Sequence, residues 1–276
     1  MGHDSVMAMT DFPHKMLIFG CGNMGGAMLR GWIAGGIDPA HFIVVDPYAK
    51  DLPDGVTHYV NAGDVDGTFD ALLLGIKPQM LAELAPVIYK LMARNTAVIS
   101  MLAGAETATL ERHFSGARVI RLMPNLAAAI GKSPLGLWSS DLDNADKAAV
   151  ENWLSPLGTP VWLNSEAQMN AVTALAGSGP AFVYRFIEAL GAAGAALGLP
   201  ADIAAQLALS MVEGSALLAA GSNENPAELA ARVTSPGGTT AAGLFELDQG
   251  INPLIEKTLR AASERGAELA HLEDKS

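Results

Sequence analysis

Short, nearly uninterrupted apolar runs alternate with helix-period segments through the first 163 residues, and then the pattern changes. Met16-Leu17-Ile18-Phe19, Phe42-Ile43-Val44-Val45, Ala71-Leu72-Leu73-Leu74, Ala97-Val98-Ile99-Ser100 and Val119-Ile120-Arg121-Leu122 have the length and make-up of strands buried on both faces. Spacings of three and four between them predict helices. One covers residues 24–33, with Met28, Leu29, Trp32 and Ile33 as packing residues; the next runs through Leu81, Leu84, Val87, Ile88 and Leu91. Two more are expected at about 106–113 and at 145–154, before a last strand at 161–163. Strand and helix in alternation predict a parallel sheet with crossover helices.

From about Asn164 onward no strand pattern is visible. Residues 168–197 are rich in Ala and Leu, with Gly177-Ser178-Gly179-Pro180 in their middle, where Pro180 is expected to kink or break a helix. Further helices are expected at 201–220, 226–233 and 253–269, and Gly191 and Gly194 among alanines predict close helix contacts. The expected organisation is a dinucleotide-type α/β domain over 15–163 and an all-helical domain over 164–276, with residues 1 to about 14 as a loose leader. The stretch 171–218 is too apolar for a bundle solvated on its outside, so a homodimer through the helical half is expected, with a higher assembly of dimers left open.

Two loops carry candidate chemistry. After the first strand, Gly20, Gly22 and Gly25 fit G-x-G-x-x-G, with Cys21, Asn23 and Met24 between them. The first glycine makes the tight turn, the second admits a pyrophosphate and the third lets the helix pack on the strand. Alone the motif is weak, but here a strand precedes it and a helix follows. The second strand ends in Asp46, where a ribose 2′-hydroxyl would be held, so the cofactor is NADPH or NADH with Asp46 tilting toward NADH. Asp46 can equally start a turn with Pro47. The second loop is Thr234-Ser235-Pro236-Gly237-Gly238-Thr239-Thr240, followed by an apolar run that predicts a helix. Such a turn at a helix start points bare N–H groups at an anion, and no metal ligand is crowded there, which suits holding a small carboxylate. As an ordinary Pro-Gly turn it would need only its Ser/Thr caps.

Composition narrows the classes. Half of the 276 residues are hydrophobic, enough for a sizeable core, and the formal net charge is −12 with a pI near 4.8, which disfavours nucleic acid and anionic membranes as partners. Cys21 is the only cysteine, so no intramolecular disulfide forms and a reducing, cytoplasmic setting fits; inside the glycine loop it reads as a small residue, not a redox centre. No apolar stretch is expected to reach the length of a membrane span.

Together these segments resemble pyrroline-5-carboxylate reductase over residues 16–269. The resemblance rests on Gly20 to Ala27, Ile76-Lys77-Pro78-Gln79, Arg121-Leu122-Met123-Pro124-Asn125, Val172-Thr173-Ala174-Leu175 leading into Gly177-Ser178-Gly179-Pro180-Ala181, and the 234–240 stretch continuing to Gly243-Leu244. It implies a Rossmann-type domain, an all-α dimerisation domain and reduction of a cyclic imine carboxylate to L-proline. It also implies roles. Thr240 would hydrogen-bond the ring nitrogen, and Ser235, Gly237, Gly238 and Thr239 would hold the carboxylate. Lys77, the second candidate catalytic residue, would lie beside the nicotinamide ribose, flanked by Ile76 and Pro78, and Asn125 would sit near the nicotinamide. Each has a plainer alternative: Thr240 as a helix cap, Asn125 as a turn residue, Lys77 as a solvated loop lysine. Three positions depart from the family: Leu126-Ala127 in place of Thr-Pro, Asn170 in place of an acidic residue, and Asp46-Pro47 in place of an Asn, Arg or Ser pattern.

The rivals are a β-hydroxyacid dehydrogenase, a related cyclic-imine reductase and a non-catalytic dinucleotide sensor. The first would place a catalytic lysine on the first long helix after the linker, and residues 166–191 contain none. A lactate-type enzyme would need an active-site histidine, and none of the six histidines falls in a recognised motif. A sensor would not need the 235–240 site.

Overall fold

The computed structural model describes residues 13–273, so most of the expected leader lies outside the described residues. The chain divides into two compact units, one holding residues 178–261 and the other the remainder.

The first unit is built on one eight-stranded sheet: β1 Met16–Phe19, β2 Phe42–Val45, β3 Thr57–Tyr59, β4 Phe69–Leu74, β5 Met92–Ser100, β6 Arg118–Met123, β7 Ser133–Trp138 and β8 Gly158–Trp162, in the order β3-β2-β1-β4-β5-β6-β7-β8. The five runs read as buried strands all lie in strands, with β4, β5 and β6 longer than expected. Helices α1 Asn23–Ala34, α2 Leu81–Lys90, α3 Thr107–His113 and α4 Asn144–Leu154 fall where the periodicity predicts them.

Alternate residues of each strand feed two cores. Met16 and Ile18 face α1 and α4 through Met28, Leu29, Trp32, Val150 and Leu154. Leu17 and Phe19 face α2 and α3 through Leu81, Ile88 and Leu110. Coverage of both faces is why the strands are apolar at every position and not at every second one. Each fully buried Leu or Ile contributes roughly 1.5–3 kcal/mol. On the α1 side the Trp32 indole N–H donates to the Trp153 carbonyl at 2.6 Å, so even the largest core side chain has its polar atom paired.

The sheet is not parallel throughout. β1 to β6 are parallel, whereas β7 runs antiparallel to β6 and β8 runs with β7. The link from β6 to β7 is a single 3-10 turn, Leu126–Ile130, far too short for a crossover, and it forces the reversal. Sequence pattern did not predict β7, where Pro134 and Gly136 interrupt the apolar run, or the three-residue edge strand β3.

After β8 the described residues contain helices and turns only. A 3-10 turn Glu166–Gln168 leads into α5 Met169–Val172 and a π turn, Thr173–Gly177. The second unit opens with α6 Gly179–Ala196, where Pro180 sits in the first turn, a position that needs no N–H donor. The expected break therefore falls at Gly177 and Ser178, one turn before the proline. Then come α7 Ala201–Ala220, α8 Pro226–Arg232, α9 Thr239–Asp248 and α10 Ile251–Glu273. Residues 164–177 fall in the first unit, where Glu166 is hydrogen-bonded to Arg121 of β6 and Ala176 to Asn125, two residues beyond that strand.

One expectation is corrected. By length and composition α7 is apolar enough to cross a membrane, and it is mostly exposed. Like α6, it carries large apolar residues at the surface: Val183, Tyr184 and Phe186 on α6, and Ile203, Leu207, Leu209 and Met211 on α7.

Candidate functional site

Because β1 to β6 run parallel, the loops at their carboxyl ends share one edge of the sheet. Between β1 and β4 the strand order reverses direction, which is where open α/β sheets bind ligands. Gly20 leaves β1 with φ +84°, and its N–H donates to the Val45 carbonyl at 3.0 Å. A β-carbon at Gly20 would lie 2.6 Å from the Gly75 carbonyl oxygen, and one at Gly25 2.4 Å from the Gly20 oxygen. Around Gly22, which precedes α1, nothing lies within 4 Å of such a carbon. The first and third glycines are thus required by backbone packing and the second is left open, the arrangement that admits a diphosphate above the helix N-terminus, where Asn23 and Met24 begin α1.

Asp46 closes the far side of this loop. Its Oδ2 accepts from the Cys21 N–H at 2.7 Å and its Oδ1 from the Tyr48 N–H at 2.7 Å, while its own carbonyl accepts from His58 Nε2 at 2.8 Å. The carboxylate is held in place by two backbone donors, one on the glycine loop, and keeps lone pairs for hydroxyl donors. Burial pushes the Cys21 thiol up to about 11, with the Asp46 carboxylate adding to the rise and Arg30 opposing it. Cys21 is therefore a protonated thiol at neutral pH.

At the end of β4, Gly75 donates to the Phe19 carbonyl at 2.7 Å, and Ile76, Lys77 and Pro78 follow. Lys77 is exposed and precedes the 3-10 turn Pro78–Met80. Asn125 follows β6 and is buried, 7% exposed. Its Oδ1 accepts from the Ala127 N–H at 2.9 Å and its Nδ2 donates to the Ala176 carbonyl at 3.0 Å. Leu126, one of the departures from the family, is half exposed beside it.

In the second unit, Ser235 to Gly238 form a turn closed by the Gly238 N–H on the Ser235 carbonyl at 3.0 Å. Pro236 in second place and Gly237 at φ +70° in third give it the pattern of a type II turn. Gly238 precedes α9, so Thr239 and Thr240 are its first two residues, and no side chain caps the helix. Thr240 does not act as the cap, and the first-turn N–H groups of α9 have no side-chain acceptor at the cap position.

Sequence pattern missed two features of the first unit. Gly75 is the packing partner of Gly20, signalled only by a glycine ending an apolar strand. Glu166 is the other: its Oε1 accepts from the Thr107 N–H at 2.7 Å, the Thr107 hydroxyl at 2.8 Å and Arg121 Nη1 at 2.7 Å. It thereby ties the start of α3 and strand β6 to the segment after β8. A cavity of about 400 Å³ lined by Asn95, Arg118, Asp141, Asp143 and Asp146 opens at the start of β6, away from the glycine loop; there Arg118 pairs with Asp146 at 3.3 Å.

Comparison with known proteins agrees with this geometry. Residues 166–269 match the model described as pyrroline-5-carboxylate reductase dimerisation, and residues 15–104 the one described as NADP oxidoreductase, coenzyme F420-dependent. The chain is 33% identical to pyrroline-5-carboxylate reductase of Pseudomonas aeruginosa over 264 residues, 93% of this chain and 97% of that one. It superposes on pyrroline-5-carboxylate reductase of Coxiella burnetii with a TM-score of 0.85 at 29% identity, covering 94% of this chain and 99% of that one. On the Plasmodium falciparum pyrroline carboxylate reductase with NADP bound the TM-score is 0.82 at 25% identity, with the same coverage. The cofactor is a nicotinamide dinucleotide, which the open Gly22 and the anchored Asp46 fit. On these grounds, an identity above 30% over nearly its whole length and a dinucleotide cradle followed by a dimerisation region, the chain belongs to the pyrroline-5-carboxylate reductase family.

Proposed function

We propose that this protein reduces L-1-pyrroline-5-carboxylate to L-proline, the last step of proline synthesis. The observation that carries the reading is the 33% identity to a pyrroline-5-carboxylate reductase over 93% of the chain. A bound reduced dinucleotide supplies the hydride. Gly20, Gly22 and Gly25 hold its diphosphate, with Asn23 and Met24 at the helix start; Asp46 holds its ribose and favours NADH over NADPH. Ile76, Lys77 and Pro78 flank the nicotinamide end, with Asn125 on the same edge.

Ser235, Gly237, Gly238 and Thr239 hold the substrate carboxylate through N–H groups and hydroxyls. The Thr240 hydroxyl, free of any capping role, hydrogen-bonds the ring nitrogen and stabilises it as it becomes an amine. A protonated imine is already a good electrophile, so no strong general acid is needed and orientation supplies much of the rate. The exposed apolar residues of α6 and α7 support a homodimer through the helical unit, and the single cysteine suits a cytoplasmic protein. Incubation of the protein with pyrroline-5-carboxylate and reduced dinucleotide, followed by chromatography for proline, tests the reading.

A further inference from the structure

Strand β6 and the turn that follows it grip the segment 166–177 at both ends. Arg121 Nη1 donates to Glu166 Oε1 at 2.7 Å, where the segment begins. Asn125 Nδ2 donates to the Ala176 carbonyl at 3.0 Å, where it ends. In between, α5 opens into the π turn Thr173–Gly177, with the Thr173 hydroxyl turned back onto the Met169 carbonyl at 2.8 Å. A π turn departs from the α-helical bonding ladder and recurs at functional sites. The opposite side of the same Asn125 amide, Oδ1, accepts from the Ala127 N–H and shapes the turn leaving β6. One buried side chain therefore joins two backbone segments, the turn after β6 and the π turn, and neither bond is needed by a residue that serves only a ligand.

We infer that Asn125 is a positioning residue for the reductase reaction: its amide fixes the π turn against the carboxyl end of β6, and with it the point at which the chain leaves the nucleotide unit. The inference rests on the reductase reading above. In the sequence everything that reading assigns to the substrate, residues 235–240, follows this exit. Hydride transfer needs reacting atoms about 3–3.5 Å apart, and a misplacement of about 1 Å arising far from the chemistry can cost about a hundredfold. A segment released at Ala176 would lower the rate even with dinucleotide at saturation.

The test uses the full chain with Asn125→Asp, which keeps the acceptor for Ala127 and replaces the donor facing Ala176 with a carboxylate oxygen. Val150→Ala, in the α4 core, serves as a variant of lowered stability outside the site. For Asn125→Asp the expected result at saturating NADH is a kcat lower by about tenfold or more, the scale of one lost hydrogen bond acting on the barrier. Faster amide exchange is expected in peptides covering residues 173–179 and not in those covering 20–25. The ratio of its kcat to that of the wild type should also rise as pH falls, because a protonated Asp can again donate to Ala176. Val150→Ala should lose melting temperature with kcat unchanged. A raised Kd for NADH with unchanged kcat at saturation would overturn the inference, since the amide would then serve the dinucleotide. An unchanged kcat with only a lower melting temperature would overturn it as well. If the wild type does not reduce pyrroline-5-carboxylate, the reductase reading fails by itself, and the exchange measurement alone decides the grip: unchanged exchange over 173–179 refutes it.

Discussion

Gly20 and Gly75 exclude a side chain from each other: a β-carbon on either would lie 2.6 Å from the carbonyl oxygen of its partner. The two residues leave β1 and β4, the adjacent strands between which the sheet order reverses, so their contact shapes the floor of the dinucleotide edge. Gly20 is marked by its motif; Gly75 is marked only by its neighbour in space.

Gly75→Ala should therefore behave like a change in the glycine motif. The added methyl must push Gly20 or the loop after β4 aside, at a cost of about 1–3 kcal/mol. A lower melting temperature together with weaker NADH binding is expected. Calorimetry and a fluorescence titration check both, and unaltered NADH binding would show that the two loops move independently.

Asp46→Ser should shift preference toward NADPH. The carboxylate accepts from ribose hydroxyls but repels a 2′-phosphate. It is also fixed by Cys21 and Tyr48, so the charge cannot swing aside without giving up two hydrogen bonds worth about 1.5–3 kcal/mol each. The comparison to make is kcat/KM for NADPH over NADH in both proteins. A wild type that already favours NADPH would contradict the assignment.

Glu166 gives the fold an acid-sensitive joint. Burial by itself raises its carboxyl, but hydrogen bonds from the Thr107 N–H, Arg121 and the Thr107 hydroxyl outweigh burial and hold it below its ordinary value of 4.5. The folded state thus favours the carboxylate. Its stabilisation is complete above that ordinary value and is lost as pH falls through the lowered one. Glu166→Gln should cost about 1.5–3 kcal/mol near neutral pH, because Arg121 keeps its charge without a charged partner. The gap in melting temperature between variant and wild type should close in acid; a gap that stays constant with pH would show that Glu166 acts through packing alone.

Much of this was legible in the sequence because the signals were local. The runs Met16–Phe19 and Phe42–Val45 fall on β1 and β2 residue for residue, since strands buried on both faces leave no polar position to blur the pattern. Gly20, Gly22, Gly25 and Asp46 converge as their spacing implies. What stayed hidden was set by contacts distant in sequence. Strand β7 contains Pro134 and Gly136 and is held by pairing with β6 and β8, not by its own propensity. Residues 164–177 join the first unit through Glu166 on Arg121 of β6 and Ala176 on Asn125 just beyond it, and no local pattern announces a bond from residue 125 to residue 176.

Thr240→Ala should separate catalysis from cofactor binding. Losing one hydrogen bond to the ring nitrogen is expected to lower kcat by about tenfold to a hundredfold. Affinity for NADH and melting temperature should hold, because Thr240 lies outside the glycine loop and does not cap α9. Thr240→Ser should keep much of the activity. An Ala variant with wild-type turnover would remove Thr240 from the mechanism.

Steady-state kinetics of the purified wild-type protein with L-1-pyrroline-5-carboxylate, following dinucleotide oxidation and proline formation together, beside a six-membered cyclic imine carboxylate, decide the reductase assignment. Proline should form in step with the dinucleotide oxidised, with a higher kcat/KM for the five-membered ring. Folded protein that oxidises neither NADH nor NADPH with pyrroline-5-carboxylate while turning over the six-membered imine would contradict it.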